Sequence, residues 1–421
     1  MSDTTPPSPR FVRRRAFVRA LGCSALAAAI GAGARFSWAQ KPASPGAGKR
    51  RVLVVVFQRG AVDGLSMIVP YADPQYRALR PGIAIPAPGG EGGALKLDGT
   101  FGLHPALAPL DPLWRSSALA VVHAVGSPDG TRSHFDAQDY LESGTPGLKH
   151  TEDGFLNRLL GQSPEKGDTS LRALALSPSL PRMLAGHAPA VALGSLDLFK
   201  VQGSGALADD FEQMYAATVD RALRGTASEA FDALKRLREI KPESFPAKAG
   251  ANYPSSPLGK RMRQIAQVIQ ADLGVEVVVT DCGGWDTHAN QGAARGQLAT
   301  RLADLGEALG AFAADLGDRM ADVCTVTVTE FGRTVKENGT GGTDHGHGSV
   351  MLVLGGRVRG RKVYARWKGL DKDALFQGRD VPVTTDHRDV WSEVLRGHLG
   401  AKDFGRVFPG FVPAGPLGLF G

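Results

Sequence analysis

Two short stretches far apart in the chain are dense in groups that hold metal ions. Gly283-Gly284-Trp285-Asp286-Thr287-His288 offers a carboxylate and an imidazole two residues apart. Thr343-Asp344-His345-Gly346-His347-Gly348 offers a carboxylate and two imidazoles, the imidazoles at the same interval. In an extended segment, residues two apart point to the same side, so each stretch can close on one cation. Asp286, His288, Glu330, His345 and His347 are therefore the candidate ligands of a divalent metal ion (Zn, Mn or Ca). Each has an ordinary reading too: Asp286 and His288 as turn residues, Glu330 as a cap or as the ion-pair partner of Arg333.

Three arginines could hold an anion beside such an ion: Arg59, Arg132 and Arg333. Arg59 and Arg333 could equally make structural ion pairs. Ser133, in Thr131-Arg132-Ser133-His134-Phe135-Asp136, sits where a helix should begin. It is either a nucleophile at a helix N-terminus or an N-cap with Asp136 three residues on. Asp63, before Gly64, is a turn residue or a further ligand. His104, His123, His150, His187 and His398 stand alone and read as structural.

These groups must be positioned by the elements around them. Arg51–Phe57 is an unbroken apolar run of the kind expected for a strand buried on both faces. Similar runs recur at 119–125, 171–176, 275–280, 323–329 and 350–354, with helical patterns between them. The longest, from Gln291 to Leu316, spaces Leu298, Leu302, Leu305, Leu309, Phe312 and Leu316 by threes and fours. Alternation of this kind predicts an α/β fold with a mostly parallel central sheet and helices on both faces. Ligands then belong at the carboxyl ends of the strands. Gln58-Arg59, Asp281 to His288 and Glu330 to Arg333 all fall there. Asp344 to His347 enters its strand from the amino end and is expected to fold back over the sheet. Helical patterns from 206 to 273 run together as an insertion that caps the sheet edge.

The N-terminus reads as an address. Arg14-Arg15-Ala16-Phe17-Val18-Arg19 has the twin-arginine form, an Ala- and Gly-rich run follows, and cleavage is expected after Ala39. This divides the chain into a signal peptide (1–39), a linker (40–50) and one domain (51–421) with its helical insertion. The export partner is the twin-arginine machinery, the destination the periplasm or medium, and no stable membrane anchor is expected to survive processing. The first 39 residues carry six Arg and one Asp, so their removal lowers the formal charge from +7 to +2. A charge that small, with no basic-aromatic stripe, speaks against a nucleic-acid partner. Cys282 and Cys324 remain; if their strands run parallel the thiols sit near opposite ends, roughly 15–20 Å apart, and are expected to be free.

With these residues in place the chain resembles a family of exported bacterial proteins, domain of unknown function 1501. The resemblance rests on Arg59-Gly60-x-x-Asp63-Gly64, Ser133-His134-Phe135-Asp136, Gly284-Trp285-Asp286-Thr287-His288, Thr329-Glu330-Phe331-Gly332-Arg333 and Asp344-His345-Gly346. More remotely it is similar to the alkaline phosphatase and sulfatase superfamily. Asp286 and His288 match that superfamily's first Asp/His motif, and His345 or His347 its late histidine. Glu330-Phe331 stands where it has an Asp-His pair, Gln58-Arg59 where it has an Asp ligand, and no residue carries its nucleophile signature. The resemblance implies an alkaline-phosphatase-like domain and a metal-dependent hydrolase of phosphate or sulfate esters acting on a small anionic substrate. Arg59, Arg333 or Arg132 would balance charge on the transferring group, and Ser133 would attack or orient. The competing implication is a non-catalytic extracytoplasmic binding protein on a degenerate scaffold.

Overall fold

A computed structural model describes residues 50–149, 151–162, 171–196, 236–237 and 244–420. The expected signal peptide, the linker up to residue 49, His150 and nearly all of the helical patterns between 206 and 240 lie outside the described residues.

Nine strands among the described residues form one sheet. In chain order they are β1 (Val52–Gln58), β2 (Leu119–Gly126), β3 (Ala173–Leu176), β4 (Val191–Leu193), β5 (Val277–Cys282), β6 (Val323–Val328), β7 (Ser349–Gly355), β8 (Lys362–Tyr364) and β9 (Thr385–Asp386). Across the sheet the order is β8-β2-β7-β6-β1-β5-β3-β4, and β9 pairs with the end of β2. The mostly parallel α/β sheet is as expected. Its three shortest strands, β4, β8 and β9, are too brief to leave an apolar run in the sequence. A separate small sheet pairs Ile68–Val69, Gly102–Leu103 and Leu95–Lys96.

One strand direction decides where the site can form. β7 is antiparallel to both of its neighbours, β6 and β2, whereas the other pairs run parallel. Its amino end therefore lies at the carboxyl edge of the rest. The expectation that Asp344–His347 must fold back over the sheet is corrected: adjacent antiparallel strands need no crossover, so the segment between β6 and β7 stays on one edge.

β1 lies in the middle, every residue buried. Alternate side chains serve two cores, as a twofold strand period requires. Val52, Val54 and Val56 face α3 (Pro257–Gln270) and α4 (Gln297–Leu316), with Leu258, Ile265, Leu302 and Phe312 in the same cluster. Leu53, Val55 and Phe57 face α1 (His134–Ser143), α2 (Phe155–Gly161) and α5 (His387–Val394), through Leu141, Phe155, Leu156 and Trp391. Thus α3 covers a sheet face instead of capping an edge, because its apolar stripe is as long as the helix. α4 begins six residues later than the periodicity suggests. Gly292 and Gly296 hold φ of 79° and 127° ahead of it, values that end helical propagation.

Cys282 and Cys324 are free thiols. They flank β1 on opposite sides, opposite Gln58 and Leu53 respectively, so the strand lies between them. Among the described residues no helix is long and apolar enough to cross a membrane.

Leu302 is wholly buried between α4 and the sheet. Leu302→Ala is expected to lower unfolding free energy by about 2–5 kcal/mol through the cavity it leaves. Urea denaturation followed by circular dichroism measures this.

Candidate metal centre

Four strand ends deliver the groups that meet at the carboxyl edge. The turn after β1 passes through Gly60 (φ 118°) and Ala61 (φ 60°). A Cβ on Gly60 would come within 3.0 Å of the Asp286 amide nitrogen, so glycine lets this turn lie against the segment after β5. Here Asp286 and His288 face the centre, while Thr287 between them turns inward and donates to buried Gln291 at 2.7 Å. After β6, Gly332 and Thr334 exchange backbone hydrogen bonds with His347, Gly346 and Asp344, and Arg333 bridges His345. After β2, Ser133 caps α1, accepting the Asp136 amide, and His134 is the first helical residue.

At the meeting point His345 Nε2 lies 3.1 Å from His134 Nε2, 3.0 Å from His288 Nε2 and 3.1 Å from Asp286 Oδ1. Asp286 Oδ1 is also 3.0 Å from His288 Nε2, and Oδ2 is 3.4 Å from His134 Nε2. His134, Asp286 and His345 form a group whose ligand atoms all fall within 4.8 Å of one another.

The other nitrogen of each ring decides what these contacts are. His345 Nδ1 sits 2.8 Å from the carbonyl of Arg132, which can only accept. His134 Nδ1 sits 2.7 Å from Glu330 Oε1, and His288 Nδ1 3.1 Å from Asp344 Oδ1. Burial alone would raise the Glu330 carboxyl, but hydrogen bonds from His134, Gln138 and Gly60 outweigh it and hold the group below its usual range. Asp344 is lowered by Asn338 and His288. Both acids are thus ionised at neutral pH and accept from Nδ1–H. When neutral, each imidazole presents a bare Nε2 lone pair to the others and to Asp286. Lone pairs facing at 3.0–3.1 Å repel, and a shared cation would relieve that repulsion. Ligand atoms about 2.0–2.1 Å from one ion lie roughly 3.0–3.4 Å apart, and His345 Nε2 stands at 3.0–3.1 Å from His134, His288 and Asp286.

Charge around the centre is also arranged for ligation. Burial opposes ionisation of Asp286, yet the Arg333 hydrogen bond at 2.5 Å, with His288 and His134, keeps its carboxyl low. The Glu330 hydrogen bond raises His134 above its ordinary value, whereas desolvation lowers His345.

Of the residues expected from sequence, Asp286, His288 and His345 come together here. Glu330 does not face the centre; it is fully buried behind His134 and fixes that ring. His347 is turned away and stacks on Phe376 at 4.2 Å between centroids. The twofold period does not carry from His345 to His347 because this segment makes one bridge and is not a continuous strand. Ser133 is an exposed N-cap. Arg59 donates to Asp281, Glu142 and Gln138 at 3.0, 2.9 and 2.8 Å. Arg333 is buried and holds Asp286. Asp63 is buried on Arg80 at 2.6 Å. His104, His123 and His398 are interior, and burial pushes each down to about 4. His134 is the candidate ligand that sequence reasoning missed. The signal was its position directly after a cap residue at a strand's carboxyl side.

The arrangement defines an α/β protein with a histidine-rich metal-type centre at the carboxyl edge of its sheet. The chain belongs to the family described as protein of unknown function (DUF1501), whose model matches residues 114–410. That span contains His134, Asp286, His288, Glu330 and His345, but not β1. A search among curated proteins found no match.

Two substitutions separate the centre from its surroundings. His134→Ala is expected to abolish stoichiometric metal binding, and His347→Ala to preserve it, as read by elemental mass spectrometry of purified protein. Glu330→Gln is expected to weaken metal affinity about 10–100-fold by releasing the His134 ring, measured by competition with a chromogenic chelator.

Proposed function

We propose that the protein is an exported, metal-dependent hydrolase of phosphate or sulfate esters. The observation that carries this reading is the convergence of His134, Asp286 and His345, with His288 Nε2 3.0 Å from the latter two and every Nδ1 tied to an acceptor. Asp286, His134, His288 and His345 would hold the ion. A donor set of three nitrogens and one oxygen suits Zn or Mn better than Ca, which takes oxygen ligands. A bound ion of this kind polarises an ester oxygen and makes water nucleophilic near neutral pH.

The chain's own residues have the supporting tasks. Glu330 and Asp344 hold two imidazoles in the tautomer that leaves Nε2 free. Arg333 keeps Asp286 ionised and oriented. The Asp286 and His288 side chains remain 41% and 45% exposed, so a substrate can approach from solvent. Export through the twin-arginine pathway is supported by Arg14-Arg15 and the apolar run after it.

One feature favours the second reading, a non-catalytic binding protein. With His288 added to His134, Asp286 and His345, four protein donors would fill a tetrahedral shell, which is the habit of structural sites, whereas catalytic ones keep a position open. Turnover separates the two. Mature protein is expected to carry about one metal ion per chain, lost in Asp286→Ala/His288→Ala, and to hydrolyse 4-nitrophenyl phosphate or sulfate. Stoichiometric metal without turnover on either ester would leave the binding protein.

Metal affinity should also fall as pH is lowered through the imidazole range, since ligation needs neutral rings. Hydrogen bonding to Glu330 lets His134 hold its proton to higher pH than an ordinary histidine, so competition should begin at higher pH than an unperturbed imidazole would give. Metal titrations between about pH 8 and pH 5.5 would read this; a flat profile would remove His134 from the ligand set.

A further inference from the structure

Three arginines were candidates for holding the substrate's anionic group, and the structure leaves two of them committed elsewhere. The Arg59 charge is covered by two carboxylates, Glu142 and Asp281. Arg333 is fully buried and spent on Asp286 and Thr343. Around Asp380 the balance is reversed. This carboxylate is completely buried, and two guanidiniums share it. Arg132 reaches Oδ2 with Nη2 at 2.5 Å and Nε at 3.1 Å, while Arg379 reaches Oδ1 with Nε at 3.0 Å. One acid between two cations leaves a formal positive charge.

That charge is at the surface and beside the centre. The Arg132 side chain is 26% exposed and that of Arg379 44%. Both touch His345: the Arg132 carbonyl accepts from Nδ1, and Arg379 Nη2 donates to the His345 carbonyl. Arg132 Nη2 also donates to Gln377. Each guanidinium retains Nη1 without a partner among the described residues. The exposed acid next to the centre, Asp344, is paired with His288.

We propose that the Arg132–Arg379 pair is the anion-binding rim of the centre, receiving the non-bridging oxygens of a phosphate or sulfate group. Arg379 was not among the residues expected from the sequence. The inference rests on the hydrolase reading for the identity of its ligand, but it can be tested by binding alone. A guanidinium already anchored by Nε on a buried carboxylate presents its remaining nitrogen with little entropy to lose, which suits it to this task.

The probe is inorganic phosphate, titrated calorimetrically into metal-loaded mature protein. Arg379→Gln is expected to bind phosphate roughly tenfold more weakly or worse, with metal content unchanged, and Arg379→Lys to fall between. Equal affinity in wild type and Arg379→Gln would overturn the proposal, as would no phosphate binding by the metal-loaded wild type. Should Arg379→Gln shed its metal, Arg379→Lys decides. Wild-type phosphate affinity there would assign the pair solely to holding His345 and also overturn it. Ester turnover is scored on the same samples. Phosphate binding that depends on Arg379 without turnover keeps the rim and removes hydrolysis; turnover with no dependence on Arg379 does the reverse.

Discussion

A buried carboxylate organises this structure. Glu330, at the end of β6, has no solvent access, and an ionised acid in that position is tolerable only if its oxygens are fully satisfied. Its partners come from three places: the Gly60 amide in the turn after β1, His134 and Gln138 on α1, and its own neighbour Thr329. The demand of one charge thus locks a helix and two strand ends together. Gln138 lies 2.8 Å from Arg59 Nη1 as well, which extends the network to Glu142 and to Asp281 on β5. His134 inherits its orientation and tautomer from this arrangement.

The two ligand-bearing loops are suspended from a second buried network below. Arg80 has a fully buried side chain and donates to Asp63 and to the carbonyls of Thr334 and Val335. Gln291 joins Asp63 to Thr287 and Thr343. Thr287 lies between Asp286 and His288, and Thr343 directly precedes Asp344. In both loops a threonine turns inward to the same glutamine while its acidic and imidazole neighbours turn outward. The loops therefore hold their spacing through buried polar contacts, and the ligands need no contact with one another to stay in place. This is how an arrangement of mutually repelling lone pairs can be built into the fold.

Much of this architecture was legible along the chain. The apolar runs of β1, β2, β5, β6 and β7 mark strands because a strand covered on both faces has no polar side to show. The stripe of α4 marks a helix because its leucines recur at the helical period. Asp286 and His288 were legible as a pair because a two-residue interval on an extended segment puts both on one side. The same reasoning failed for His347, where a single bridge replaced the strand that the interval presupposes.

Sequence by itself therefore determined the α/β class, its principal elements and the chemical type of the centre, since these depend on local periodicity and side-chain chemistry. Tertiary structure alone decided the direction of β7, the recruitment of His134, the place of Glu330 behind His134 instead of in the centre, and the gathering of Arg132 and Arg379 on Asp380. Each of these depends on which segments lie side by side across the sheet edge. That is a matter of strand order and of where buried charges find partners, and residues some two hundred positions apart in the chain, such as His134 and Glu330, carry no local mark of it.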